Sequence, residues 1–89
     1  MTWVYRFEEE ARRDIRRLDF EAQKRIIRYL DTRVAGREDP RRFGKPLRGD
    51  KFGFWRWRVG DYRIIGQIDG DQIVVIVVRI AHRSTAYED

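Results

Sequence analysis

The dipeptide Gly60-Asp61 stands between two runs of alternating character, 54–59 and 62–68, and no other feature narrows the fold as much. A glycine and an acid between two alternating segments signal a tight hairpin, and a short turn decides which strand residues oppose each other. Side chains in a strand alternate between faces, so residues two apart share one. In Trp55-Arg56-Trp57-Arg58 the arginines therefore share a face, and Trp55, Trp57 and Val59 take the other. Past the turn, Arg63 lies opposite Tyr62 and Ile64. A second hairpin signal, Asp69-Gly70-Asp71, leads into 72–82, where Arg79 and Arg83 lie opposite Val78 and Ile80. Arg56, Arg58, Arg63, Arg79 and Arg83 are thus expected on one face of an antiparallel sheet. Neighbouring cations repel, so such a face implies an anionic ligand, of which a nucleic-acid backbone is the commonest.

The remaining segments supply a scaffold. Residues 2–7 alternate Trp3, Tyr5 and Phe7 against Thr2, Val4 and Arg6, a short strand with an aromatic inner face. Glu8-Glu9-Glu10 then opens a helix, with acids where the macrodipole favours them, and Ala11, Ile15 and Leu18 form its apolar stripe. Asp19 is placed to cap a second helix, whose buried stripe reads Ala22, Ile26, Ile27, Leu30 and Val34, with Gly36 at its end. Residues 36–53, rich in glycine and proline, read as loop. The run Ile73 to Val78 is apolar on both faces and is expected to be the central strand. The order predicts one α+β domain over 1–89 (β-α-α-β-β-β): a strand, a helical hairpin, then a three-stranded antiparallel meander, with the helices on one face of the sheet.

Composition limits the chemistry. The chain has no cysteine and one histidine, so disulfides and ordinary zinc sets are excluded, a reducing compartment fits, and no metal or cofactor is expected. The longest apolar stretch is far short of a membrane span and no signal peptide is evident, which predicts a soluble, cytoplasmic protein. Charge is uneven. Residues 1–39 hold ten Lys/Arg against nine Asp/Glu, whereas 40–83 hold ten against four. The basic surface belongs to the second part.

Several residues carry plainer readings. Trp55 and Trp57 face the helices by alternation, so core packing suits them better than base stacking. Asp69 and Asp71 flank a turn glycine and read as turn chemistry. The cations Arg12, Arg16 and Lys24 read as solvated helix surface. His82 is the one histidine, and alternation puts it on the face of Val78 and Ile80, away from Arg83.

Trp55-Arg56-Trp57-Arg58-Val59-Gly60-Asp61-Tyr62-Arg63, followed by Ala81-His82-Arg83 and Tyr87, resembles the RelE/ParE superfamily of bacterial toxins, and is nearer its RelE branch. Phe7 with the acidic helix start, the Gly44-Lys45-Pro46-Leu47-Arg48-Gly49 loop and the strand order agree with this. The Gly-Asp-Tyr-Arg turn and the terminal His-Arg-x-x-x-Tyr are its specific parts. The resemblance implies a type II toxin that cleaves mRNA in the ribosomal A site without a metal, using the 2′-hydroxyl as nucleophile. It implies neutralisation by a RelB-like acidic antitoxin that folds on binding, and no direct DNA binding except through that antitoxin. Arg63 would stabilise the transition state, Arg83 would meet the scissile phosphate or leaving group, and Tyr87 would orient or activate the 2′-hydroxyl, with His82 as a second group for the proton. Arg56, Arg58, Lys45, Arg48 and Arg79 would hold the substrate. Some relatives carry lysines on the first hairpin strand; Arg56 and Arg58 can clamp phosphate but are poor general bases. Gly66 stands where relatives often have an aromatic residue, leaving a gap beside the substrate path or in the core. Two further readings stand beside the nuclease: a ParE-like inhibitor of DNA gyrase, and a catalytically inactive module that binds RNA or antitoxin.

Overall fold

The computed structural model describes residues 2–49 and 53–83. Strand β1 (Val4–Phe7) leads into α1 (Glu9–Arg16) and α2 (Phe20–Tyr29), and α2 runs on into a π-helical turn, Leu30–Val34. A 3-10 turn, Pro40–Arg42, precedes the short β2 (Lys45–Pro46), and then come β3 (Trp55–Val59), β4 (Tyr62–Asp69) and β5 (Val74–His82). The sheet order is β1-β5-β4-β3-β2. The meander β3-β4-β5 is antiparallel as expected, but β1 pairs with β5 in parallel, so the sheet is mixed. β5 is interior rather than central, a place taken by β4. The segment 36–53, read as loop, also contributes β2: Lys45 opposes Arg56 and Pro46 opposes Trp55. Two residues give no period to read, and proline is at home on such an edge.

Both helices pack on one face. Asp19 Oδ1 accepts a 2.8 Å bond from the Ala22 amide and so starts α2. Ala22, Ile26, Leu30 and Val34 are then buried in turn. The π turn adds one residue per bond, with the Ala35 amide reaching Leu30 O at 2.8 Å, and keeps Leu30 and Val34 both inward. Trp3 and Gly36 exchange two backbone bonds, of 2.6 and 3.0 Å, which tie the end of the helical hairpin to β1. The Tyr5 hydroxyl donates to Asp31 at 2.7 Å across the same junction; burial and the adjoining carboxylate push its pKa up to about 12.

Trp57 lies at the centre of the core and is fully buried. Its indole Nε1 donates to Pro40 O at 2.9 Å, which pins the 3-10 turn to the sheet. Glycines bound its seat. A Cβ on Gly44 would stand 2.7 Å from Nε1, and one on Gly66 would stand 2.8 Å from Ile76 O and 3.3 Å from the Trp57 ring. Gly66 therefore leaves no gap, contrary to the expectation from sequence; the indole and the β5 backbone occupy the space. The register also shifts there. Ile65 opposes Arg79 and Gly66 opposes Val77, so Val78 is the extra residue of a bulge. Val75 and Val77 point to the core before the bulge and Ile80 after it, an alternation that continuous pleating from Val78 does not produce.

Gly66→Ala should destabilise the fold by about 1–3 kcal/mol, because the nearest atom is a backbone carbonyl that cannot swing away. Urea unfolding checks this: a midpoint shift at constant slope is expected, and a variant within about 0.5 kcal/mol of wild type would remove the steric account.

Candidate functional site

The two-residue turn at Gly60-Asp61 builds the site. Gly60 has a positive φ of 59° and Asp61 does not, the pattern of a type II′ turn, which places glycine where an L side chain strains. With the turn set, Val59 opposes Tyr62 and Arg58 opposes Arg63. The two arginines therefore stand side by side on the face away from the helices, and Arg63 in turn opposes Ala81. β5 ends by donating the Arg83 amide to Asp61 O at 2.7 Å. Arg58, Gly60, Asp61, Tyr62, Arg63 and Arg83 line one cleft of about 390 Å³.

Among the described residues three guanidinium groups and one carboxylate line it. Arg63 is half-buried, which restrains its head group, while Arg58 and Arg83 are exposed. Asp61 Oδ1 lies 3.7 Å from Arg83 Nε, and both side chains are well exposed, so the pair is screened and easily exchanged for another anion. Sequence reading used Asp61 only as a turn residue and missed this contact. Its signal was an acid facing the end of the last strand. Arg58 and Arg63 are like charges directly opposed, a pairing that by itself costs a sheet stability.

The other expected site residues are distributed. Arg56 lies on the same face one pleat from Arg58, and Lys45 opposes it across β2, so the cationic row extends to that edge. Arg48 is exposed just beyond. Arg79, expected among the phosphate contacts, is instead bound to the scaffold. Its Nε and Nη2 donate to Asp14 at 2.8 and 3.3 Å, and Asp14 also accepts the Ile80 amide at 2.8 Å. Asp14 is a buried carboxylate within the apolar stripe of α1, which sequence reading passed over. His82 opposes Tyr62, and the rings meet edge-on with centroids 5.2 Å apart. It opens onto a different pocket, shared with Asp14 and Arg79, and not onto the arginine cleft. Tyr87 lies outside the described residues. Among the described residues no helix is long and apolar enough to cross a membrane, and no group of three or more His, Asp or Glu converges as metal ligands.

Guanidinium groups that share one open cleft can bind a phosphodiester and stabilise charge that grows on it. Residues 5–87 match the family described as the ParE toxin of type II toxin–antitoxin systems, parDE. The chain is 31% identical over 87 residues to toxin RelG of Mycobacterium tuberculosis, covering 98% of each. It is 35% identical over 77 residues to toxin RelE of the same organism, covering 86% of this chain and 77% of that one. Among solved structures it is similar to the M. tuberculosis toxin–antitoxin complex RelBE2, with a TM-score of 0.84 and 32% identity over 93% of this chain and 100% of that chain.

Arg79→Ala should lower stability by about 1–3 kcal/mol, because buried Asp14 loses its charged partner while Arg79 itself is 39% exposed and the Ile80 amide still donates to Asp14. Arg58→Ala should change stability by less than about 0.5 kcal/mol yet reduce the salt dependence of RNA binding. Urea unfolding and RNA titrations at several salt concentrations separate the two. Equal stability losses would erase the distinction between scaffold and cleft.

Proposed function

This chain is a toxin of the ParE family of type II toxin–antitoxin systems, and from that we propose that it cleaves mRNA held in the ribosomal A site and so arrests translation in the cytoplasm. The observation that carries this reading is the convergence of Arg58, Arg63 and Arg83 on one cleft at the hairpin end. In the reaction the 2′-oxygen attacks the adjacent phosphorus and the bond to the 5′-oxygen breaks, leaving a 2′,3′-cyclic phosphate and a 5′-hydroxyl. One proton leaves the 2′-hydroxyl and one reaches the 5′-oxygen. Arg63, restrained by its burial, stabilises the phosphorane, and Arg83 meets the non-bridging oxygens after exchanging Asp61 for phosphate. Arg58, Arg56 and Lys45 hold the backbone on either side, with Arg48 at the margin. Tyr87 aligns or deprotonates the 2′-hydroxyl.

A cleft that among the described residues is rich in guanidinium and poor in acid–base groups would depend on its substrate arriving correctly aligned. That dependence fits cleavage on the ribosome rather than of free transcripts. The same face needs a mask when the toxin is idle. The similar RelBE2 structure is a toxin–antitoxin complex, and here an acidic RelB-like segment that orders on binding would cover Arg56, Arg58, Arg63 and Arg83.

Purified protein added to a cell-free translation system should produce new mRNA 5′ ends on ribosomes and few on deproteinised transcripts. Arg63→Ala and Arg83→Ala should each slow single-turnover cleavage by about 10²–10³-fold, the scale for one preorganised electrostatic donor, with smaller effects on binding. Tyr87→Phe should slow cleavage while leaving the melting curve unchanged. Folded variants that cleave within a few-fold of wild type would end the assignment. Inhibited supercoiling in a parallel gyrase assay would then favour a ParE-type target.

A further inference from the structure

Helix α2 presents a second cationic surface, joined to the cleft around the Gly60 turn. Lys24, Arg25 and Arg28 line a groove of about 260 Å³ together with a single carboxylate, Glu21. Some other helix and loop arginines pair locally, Arg13 with Glu9 and Glu10, Arg16 with Glu9, Arg41 with Asp39 and Arg42 with Glu38. Among the described residues no carboxylate lies within ion-pair distance of Lys24, Arg25 or Arg28. An exposed aromatic residue accompanies them. Phe20 opens α2, one residue past the Asp19 cap, and is 72% exposed. Lys24 Nζ lies 5.5 Å from its ring centroid. An apolar ring left in water beside unneutralised cations is the pairing used by surfaces that bind single-stranded nucleic acid, where a base stacks while its phosphate is clamped.

Position supplies the link. Arg25 Nη1 lies 3.0 Å from where a Cβ on Gly60 would stand, and Gly60 itself lines the arginine cleft. A chain leaving the cleft over the turn therefore meets Arg25 first, then Lys24 and Arg28. We propose that α2, through Phe20, Lys24, Arg25 and Arg28, binds the single-stranded RNA that continues beyond the cleft, with an unstacked base on Phe20. The proposal extends the RNA reading above but does not require that the cleft cleave.

Fluorescence anisotropy with labelled oligouridylates of about 4 and about 12 nucleotides, lengths within the range of single-strand sites, tests it. Wild-type protein should bind the longer RNA at least about tenfold more tightly. Lys24→Ala with Arg28→Ala should remove most of that gain and lower the salt slope by about 0.7 per lost contact. Phe20→Ala should weaken the longer RNA about tenfold without changing the slope, and none of these changes should affect the shorter RNA. Arg58→Ala, in the cleft, should weaken both. No length dependence in wild type, or variants that bind the longer RNA as wild type does, would overturn the proposal. So would variants that keep RNA affinity but lose a poly-glutamate peptide, which would mark α2 as a site for an acidic protein segment. Ribosomal cleavage is scored separately: its absence beside α2-dependent RNA affinity removes the nuclease and keeps this surface, and intact cleavage with α2-independent affinity does the reverse.

Discussion

The Trp57 indole must fit a seat that leaves no room for side chains on its neighbours, and most of the architecture follows from that fit. Gly44 approaches Nε1 on one side and Gly66 faces the ring on the other, so the loop before β2 and the middle of β4 both close on a single residue. The hydrogen bond to Pro40 O fixes the 3-10 turn over the core and satisfies the one polar atom of a fully buried side chain. Gly66 also lies at the register shift in β4 and β5. A bulge there increases local twist and leaves Ile80 pointing to the core and Arg79 outward at its own register position. Packing at the centre of the sheet thereby decides what the far end can display.

Two carboxylates then divide the arginines by task. Asp14 is buried and binds Arg79 together with the Ile80 amide, an arrangement that anchors α1 to β5 just beyond the point where β1 stops. Asp61 is exposed and touches Arg83 loosely across the mouth of the cleft. Burial makes the first pair structural, since breaking it strands a desolvated charge. Exposure makes the second exchangeable, since water and salt already screen it. Arginines of identical chemistry are thus committed to a buried carboxylate in one place and left exposed to solvent in another.

Among the described residues the cleft is lined by permanently charged arginines and holds no histidine. His82 packs against Tyr62 outside it, and arginine does not give up its proton near neutrality. Such a site is strong at stabilising a charged transition state and weak at creating the nucleophile. On the reading proposed above, such a site would rely on substrate alignment supplied from elsewhere, and a second RNA surface on α2 would add to that alignment without adding reactive groups.

Much of this was legible in the residues alone because it depends on period and on turn chemistry. Alternation placed Arg56, Arg58 and Arg63 on one face and the tryptophans on the other. Gly60-Asp61 set the hairpin, Asp19 set the start of α2, and the helical stripes identified Ala22, Ile26, Leu30 and Val34. These are local rules, acting over a few residues and independent of what packs nearby. The rest required contacts between distant segments. The parallel pairing of β1 with β5, the bulge at Val78 and the capture of Arg79 by Asp14 join residues far apart in the chain, where no period records the partner. Gly66 shows the difference most plainly. Its sequence position suggested an absent side chain and a gap, but the space had been filled by Trp57 and by the Ile76 carbonyl, because close packing is settled by the atoms that meet in three dimensions and not by the order in which they are joined.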